Sequence, residues 1–355
     1  MNSSNWLLYG ATGFTGELIV EEAVRQGMKP VIAGRSEARI REMAEKFGLE
    51  WKVFSLDDPQ SIRAGIRGFA CVLHAAGPFI YTAEPMMLAC IDEGAHYLDI
   101  TGEIPVFQIA TRLGSRAEDT GIALIPGVGF DVVPTDCLAR YVADASPGSE
   151  NLEIAFAAIS NPSQGTTKSA IEMMPRGFLT RRNGDLQRIS PGSGGKKVQF
   201  SDKERFVLPV SWGDLETAFY STGIANITTY TSLSRGASMF LRVFGPVMTL
   251  LFQFSPVRRS AKKFVDLFVR GPGAREQKSG RSYVYVKVSS AAGKSREAWL
   301  ETIEGYVFTA KSALLCVKEV IEKSPKGFKT PSVAFGYDLV LRIPETRILD
   351  SIGNQ

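Results

Sequence analysis

Near the N-terminus an apolar run, Leu7-Leu8-Tyr9, meets three glycines at three-residue spacing, Gly10, Gly13 and Gly16. A helix-like stretch follows, from about Thr15 to Gln26. Few arrangements satisfy this order: a strand ends, the chain turns within a few residues, and a helix starts against the strand it has just left. Gly10 permits the turn, Gly13 leaves backbone room for a pyrophosphate, and Gly16 lets the helix pack closely. The unpaired N–H groups and the dipole of the helix N-terminus then favour phosphate. The spacing is G-x-x-G-x-x-G rather than G-x-G-x-x-G, and a merely structural turn is the plain alternative. The second strand one helix length later argues for a nucleotide-binding βαβ unit.

That second strand, Pro30-Val31-Ile32-Ala33, stops at Gly34-Arg35-Ser36. An NAD-specific fold places Asp or Glu here, to accept from the ribose 2′-hydroxyl. A carboxylate repels a 2′-phosphate, whereas the Arg35 fork and the Ser36 hydroxyl hold one. The residues favour NADP over NAD, against the bland reading of a solvated arginine at a strand end.

The third strand, Trp51 to Phe54, is followed by Asp57, placed either to accept from the adenine amino group or to cap the helix beginning near Pro59. Phe69 to His74 is almost wholly apolar, as a parallel strand covered on both faces demands. Its end, Ala75-Ala76-Gly77-Pro78, is small enough for a nicotinamide ribose to approach the backbone. His74 reads as a hydrogen-bonded structural histidine rather than a catalytic acid. His96 to Ile100 is the next strand, and Tyr97, Asp99, Thr101 and Glu103 crowd its carboxyl edge, where substrate groups sit in such folds. A sixth strand, Ile122 to Ile125, ends in a glycine-rich turn reaching Asp131. The pattern to about residue 145 is a doubly wound parallel sheet, an α/β fold.

After Pro147-Gly148 the pattern changes to a mixed α/β domain. Strands are expected at 152–159, 197–200, 206–210, 215–221, 283–290 and 297–303, with a polar loop over 161–169 and a helix from Ser169 to Met174. A helix from Tyr306 to Ile321 and a last one starting near Thr330 and running through Leu341 are expected to pack back on the first domain. The expected boundaries are 1–145, 146–305 and 306–355, and 355 residues suffice for them.

The net charge of +4 argues little about partners, and no feature points to nucleic acid. Four scattered cysteines read as free buried thiols in a reducing compartment. No signal peptide precedes the first strand, so the protein is expected to be cytoplasmic. Two histidines and no cysteine cluster give no metal-ligand spacing. There is no G-x-S-x-G elbow and no P-loop lysine. Tyr283 and Lys287 have the Tyr-x-x-x-Lys spacing of short-chain dehydrogenases but fall in a strand pattern, so they are rejected as a catalytic pair.

Residues 239–254 form an unusually apolar block, with Arg258, Arg259, Lys262 and Lys263 just after it. Three readings stay open: a homodimer interface or pocket lid, a membrane-surface or lipid-droplet contact, or an ordinary core helix pair. Arg242 and Pro246 argue against a spanning helix.

Beyond these patterns, GATGFTG (10–16), AGRS (33–36), HAAGPF (74–79), YLDITGE (97–103), PGVGFDVVPTD (126–136), the GTTKS loop (165–169) and TPSVAFG (330–336) resemble the saccharopine dehydrogenase-like oxidoreductases, in the branch that contains trans-acting enoyl reductases. Val132 stands where that family usually has Ser. The resemblance implies a Rossmann domain binding NADP, an inserted mixed α/β domain, and C-terminal helices returning to the first domain. The expected cofactor contacts are Gly10, Thr12, Gly13, Phe14, Thr15, Gly16, Arg35, Ser36, Asp57, Ala75, Ala76, Gly77 and Pro78. The expected reaction is hydride transfer from NADPH to an enoyl or carbonyl carbon of an apolar, lipid-like substrate, with Tyr97, Asp99 or Asp131 as the acid. Two alternatives remain. One is a saccharopine-type amino-acid dehydrogenase, for which Lys168, Arg176, Arg181 and Arg182 are the only basic cluster on offer. The other is a non-catalytic NADPH-binding scaffold at a membrane or partner enzyme.

Overall fold

The computed structural model describes residues 5–158 and 161–352. Strands β1 (Trp6–Tyr9), β2 (Val31–Gly34), β3 (Trp51–Val53), β4 (Cys71–His74), β5 (His96–Asp99) and β6 (Ala123–Ile125) alternate with helices α1 (Phe14–Arg25), α2 (Glu37–Phe47), α3 (Pro59–Ile66), α4 (Phe79–Glu93) and α5 (Ile104–Asp119). The helices start and stop where local chemistry directs. Gly48 and Gly94 end α2 and α4 in the left-handed conformation, with φ of 65° and 73°. The inner strands β1, β4 and β5 are buried along their whole length, which is why Trp6 to Tyr9 and Cys71 to Leu73 run apolar without alternation, while β5 buries the polar His96 and Asp99.

The chain continues through α6 (Val133–Asp144), β7 (Asn151–Ala158), α7 (Gln164–Met173), the hairpin β8 (Phe178–Arg182) and β9 (Asp185–Ile189), β10 (Lys196–Gln199), β11 (Glu204–Pro209), α8 (Asp214–Thr222) and β12 (Asn226–Ser232). Helices α9 (Arg235–Leu251), α10 (Ser255–Phe268) and α11 (Ala274–Ser279) then lead to the long pair β13 (Arg281–Ser289) and β14 (Ser295–Ile303). Last come α12 (Gly305–Lys323), β15 (Gly327–Phe328), α13 (Pro331–Phe335), a 3₁₀ turn over Tyr337–Arg342 and β16 (Arg347–Leu349).

The first sheet is entirely parallel, in the order β15-β6-β5-β4-β1-β2-β3. The order reverses direction at β1, so the crevice at the carboxyl ends of β1 and β4 is the topological switch point of a doubly wound fold. The second sheet is mixed, β10-β11-β12-β7-β13-β14-β16, with the β8–β9 hairpin branching from β12. Among the described residues only β12 and β7 run parallel in it.

The chain forms two compact units, Met1–Asp131 with Tyr306–Phe335, and Val132–Gly305 with Gly336–Gln355. The division falls earlier than the expected residue 145. Helix α6 belongs to the second unit, where the Ser221 hydroxyl of α8 donates to Asp136 at 2.6 Å and Tyr141 donates to Asp350. The tail is also divided. Gly336, at φ 94°, interrupts the last α-helix after five residues, so Leu341 falls in the 3₁₀ turn that follows and not in the expected continuous helix. Strand β16 instead extends the second sheet along β14.

Other expectations are corrected. Residues 215–221 are helical, because acidic groups in the first turn and Gly223 at φ 70° frame one compact helix there. The expected loop 161–169 is already helical from Gln164, with Ser163 accepting from the Thr166 N–H as its cap. The strand expected over 152–159 is β7; Ile159 lies outside the described residues.

Candidate functional site

The turn after β1 is tight. Gly10 has φ 89° and donates its N–H to the Ala33 carbonyl at 2.8 Å. A Cβ added to Gly10 would stand 2.8 Å from the backbone of Ala75 and Ala76, so the loops after β1 and β4 touch through this residue. A Cβ on Gly16 would lie 2.2 Å from the Gly10 carbonyl oxygen, which seats the start of α1 directly on the turn. Gly13 is the extended N-cap of α1, and as a glycine it has no side chain with which to cap that helix end. Thr12, Phe14 and Thr15 are half-buried around it. The Phe14 ring meets the edge of Tyr306 at 5.1 Å. Ala75, Ala76 and Pro78 are half-buried and Gly77 is exposed on the facing loop.

At the end of β2, Arg35 is exposed and no carboxylate stands beside it in sequence. Ser36 is the N-cap of α2, and its hydroxyl makes no capping bond. Arg39, one turn into α2, donates to the Thr12 carbonyl at 2.7 Å. The sequence reading passed over Arg39, because nothing local links it to the glycine turn. Asp57 does not cap α3. That role belongs to Asp58, which accepts from the N–H groups of Gln60 and Ser61. Asp57 is exposed and takes the Ser55 hydroxyl at 2.6 Å.

The polar residues at the carboxyl ends of β4, β5 and β6 form one buried network. The Thr82 hydroxyl donates to the Ala76 carbonyl at 2.8 Å, so the 2.9 Å contact from His74 Nε2 to that hydroxyl requires the ring to donate. His74 is fully buried, and burial pushes its pKa down to about 3. It is a neutral structural histidine. Tyr97 and Asp99 are also fully buried. The Tyr97 hydroxyl donates to Asp99 at 2.7 Å, while the other Asp99 oxygen accepts from the N–H groups of Thr101 and Gly127, both at 2.9 Å. Burial is the main reason that Asp99 is pushed up to about 7. Glu103 accepts from the first two N–H groups of α4, Phe79 at 2.9 Å and Ile80 at 2.8 Å. These carboxylates tie the loops after β4, β5 and β6 together. Tyr97 and Asp99, two of the three expected acids, are each bonded to a partner inside the protein.

Asp131 is half-buried, above Gly102, where an added Cβ would come within 3.0 Å of its carboxylate oxygen. Burial, and next the charge of Glu103, pushes it up to about 7. The loop carrying it is fixed from the other side by α12. Thr309 accepts from the Phe130 N–H at 3.0 Å, Ser312 donates to the Val128 carbonyl at 2.8 Å, and a Cβ on Gly129 would meet Thr309 at 2.9 Å. Helix α12 in turn joins α1 through Lys311 and Glu22 at 3.1 Å. Among the described residues no cluster of side chains suited to a metal ion occurs. Tyr283 and Lys287 lie in β13, well inside the second sheet.

Residues 6–125 match the model of the saccharopine dehydrogenase NADP binding domain. A human saccharopine dehydrogenase-like oxidoreductase is 29% identical over 46% of this chain and 44% of its own length. A protein of Mycobacterium tuberculosis assigned as a trans-acting enoyl reductase is 29% identical over 54% of this chain and 50% of its own. The chain thus spans about half the length of the curated relatives it matches. A solved saccharopine dehydrogenase (L-Glu forming) of Saccharomyces cerevisiae superposes with a TM-score of 0.63 over 98% of this chain and 100% of that one, at 11% identity, a likeness of fold alone. Residues 6–125 of this chain are thus a Rossmann domain of the saccharopine dehydrogenase NADP-binding type.

Proposed function

We propose that the chain is an NADP-dependent enzyme that transfers a hydride to an enoyl or carbonyl carbon of an apolar, lipid-like substrate. The observation that carries the cofactor half is the uncapped α1 N-terminus behind Gly10 and Gly13, with Arg35 and an uncommitted Ser36 hydroxyl at the end of β2. Gly10 to Gly16 are assigned to the diphosphate, Arg35, Ser36 and Arg39 to the 2′-phosphate, Asp57 to the adenine edge, and Ala75 to Pro78 to the nicotinamide ribose. The chemistry such a cofactor supplies when bound is hydride transfer. The protein supplies orientation, a dry floor built on Asp99 and Glu103, and a proton. Of the three candidate acids, Asp131 fits best, because it is held at the site's edge and is half protonated near neutrality. Tyr97 and Asp99 are positioning residues.

The apolar substrate rests on two supports: the name of the mycobacterial relative, and the weakness of the basic cluster that an amino-dicarboxylate adduct would need. Arg181 is buried and paired with Glu216 at 2.7 Å, and Lys168 is paired with Asp266. Two of the four basic groups are therefore already neutralised.

The test is NADPH oxidation by the purified chain against a panel of enoyl and keto acyl thioesters, and against 2-oxoglutarate with lysine. Turnover of the acyl compounds alone is expected. Turnover of the amino-acid pair alone overturns the substrate reading, and tight NADPH binding without any turnover establishes the scaffold reading instead.

A further inference from the structure

Helices α9 and α10 expose apolar side chains that a protein surface normally hides. On α9, Phe240, Val243, Phe244, Val247, Leu250 and Leu251 fall on one arc of the helix, with Phe244 51% and Leu250 64% exposed. On α10, Phe264, Leu267 and Phe268 form a second strip, with Leu267 74% exposed. The opposite faces are the attached ones. Gly245 of α9 is buried against Pro191, where an added Cβ would lie 2.5 Å away. Arg258 and Lys262 of α10 both pair with the buried Glu172 of α7. Each helix is therefore anchored by one side and apolar on the other, and contiguous exposed apolar area of this kind marks a contact surface.

The charges decide what covers it. Residues 235–268 carry six basic groups and one acidic group, Asp266, which is itself paired with Lys168. Arg259 and Lys263, one turn apart, are exposed beside the Phe264–Phe268 strip. A two-fold contact with a second copy would set the same basic rim against itself. An anionic lipid surface complements it, with the apolar arcs in the acyl boundary and long basic side chains reaching the phosphates. Crossing the bilayer is a poor alternative. Neither helix alone is long and apolar enough, and the two are bent by 116° at their junction. Arg242 also lies within α9.

We infer that α9 and α10 are a peripheral docking surface for an anionic phospholipid membrane, lying in its interface rather than spanning it. The inference is independent of the substrate and of turnover.

Flotation of the full chain with vesicles tests it, one set of phosphatidylcholine alone and one of phosphatidylcholine with phosphatidylglycerol. Wild type should float with the anionic set, and less so at high salt. The F244D/L267D variant should lose about tenfold or more of that partitioning, and R259E/K263E should lose it on the anionic set. Circular dichroism melts and NADPH binding should be unchanged in both variants, since the altered side chains are exposed. Failure of wild type to float with the anionic set overturns the inference. So does a wild-type dimer in lipid-free buffer that F244D/L267D converts to monomer, because a second copy would then cover the face. A loss of NADPH binding in the wild type itself would instead count against the cofactor reading and leave the flotation result standing.

Discussion

The Tyr97 hydroxyl donates to the Asp99 carboxylate at 2.7 Å in a fully buried pair, and the second Asp99 oxygen holds the N–H groups of Thr101 and Gly127. One side chain thus fixes the loops that follow β5 and β6. Asp99→Ala strands three buried donors at once and should destabilise the protein by about 3 kcal/mol or more. Tyr97→Phe removes one donor and should cost about 1 kcal/mol. If both are positioning residues, Tyr97→Phe keeps kcat within a few-fold of wild type. Urea titrations and steady-state rates check this, and a loss of a hundredfold or more in Tyr97→Phe at unchanged fold would restore Tyr97 as the acid.

Cofactor choice should follow Arg35. An arginine–phosphate pair contributes about 1.5–3 kcal/mol, so Arg35→Ala should weaken NADPH binding by roughly ten- to a hundredfold and leave NADH nearly unchanged. Arg39→Ala should act in the same direction and also loosen the glycine turn, because Arg39 holds the Thr12 carbonyl. Isothermal titration with both nucleotides measures the ranking; an unchanged ratio in Arg35→Ala would remove the arginine from the 2′-phosphate site.

These two cases show where the sequence was readable. The glycine turn and the end of β2 are local: spacing and residue type suffice to find them, and Gly10 and Gly16 adopt the roles that their positions imply. Arg39 was invisible because its partner lies 27 residues away and is a backbone atom. Asp57 and Asp58 both precede Pro59, and only backbone geometry shows that the second is the cap. The polar group Tyr97, Asp99, Thr101 and Glu103 stood out in the sequence as a candidate substrate edge, and in the structure these residues bond one another and nearby backbone. Their polar density satisfies buried backbone at three loop starts, and residue types alone cannot separate that from chemistry. The apolar block 239–254 was legible as an anomaly and ambiguous as a function, since an exposed apolar helix face suits a second copy and a lipid surface alike.

Stability in acid should report the contact between α1 and α12. Burial alone would raise the Glu22 carboxyl, but bonds from Arg25, Gln26 and Lys311 outweigh it and hold the group near about 2, against an ordinary value of 4.5. The native pKa is the lower one, so this contribution is complete above about 4.5 and is lost as pH falls toward 2. It amounts to about 2–3 kcal/mol. Denaturant titrations of wild type and Glu22→Gln between pH 7 and pH 3 should converge as the pH drops. Parallel curves would show that the cluster contributes nothing to stability.

Asp131 has the opposite sign, and this links its stability to its proposed role. Its native pKa, about 7, lies above the ordinary 3.8, so the folded protein retains a proton that the unfolded chain has lost between those values. Stability from this group is therefore greatest at low pH and falls as pH rises from about 4 to about 7. Asp131→Asn cannot ionise and should gain stability relative to wild type across that range, with the difference constant above pH 8. As a general acid, the same carboxyl must be protonated to act, so kcat should decline as pH rises through about 7. Asp131→Asn should abolish that limb and lower kcat by roughly a hundred- to ten-thousandfold. A variant that is more stable at pH 8, binds NADPH normally and has lost both rate and pH dependence identifies Asp131 as the proton donor. One that keeps the alkaline limb shows that the proton reaches the substrate from elsewhere, and that burial of Asp131 serves only to seat its loop over Gly102.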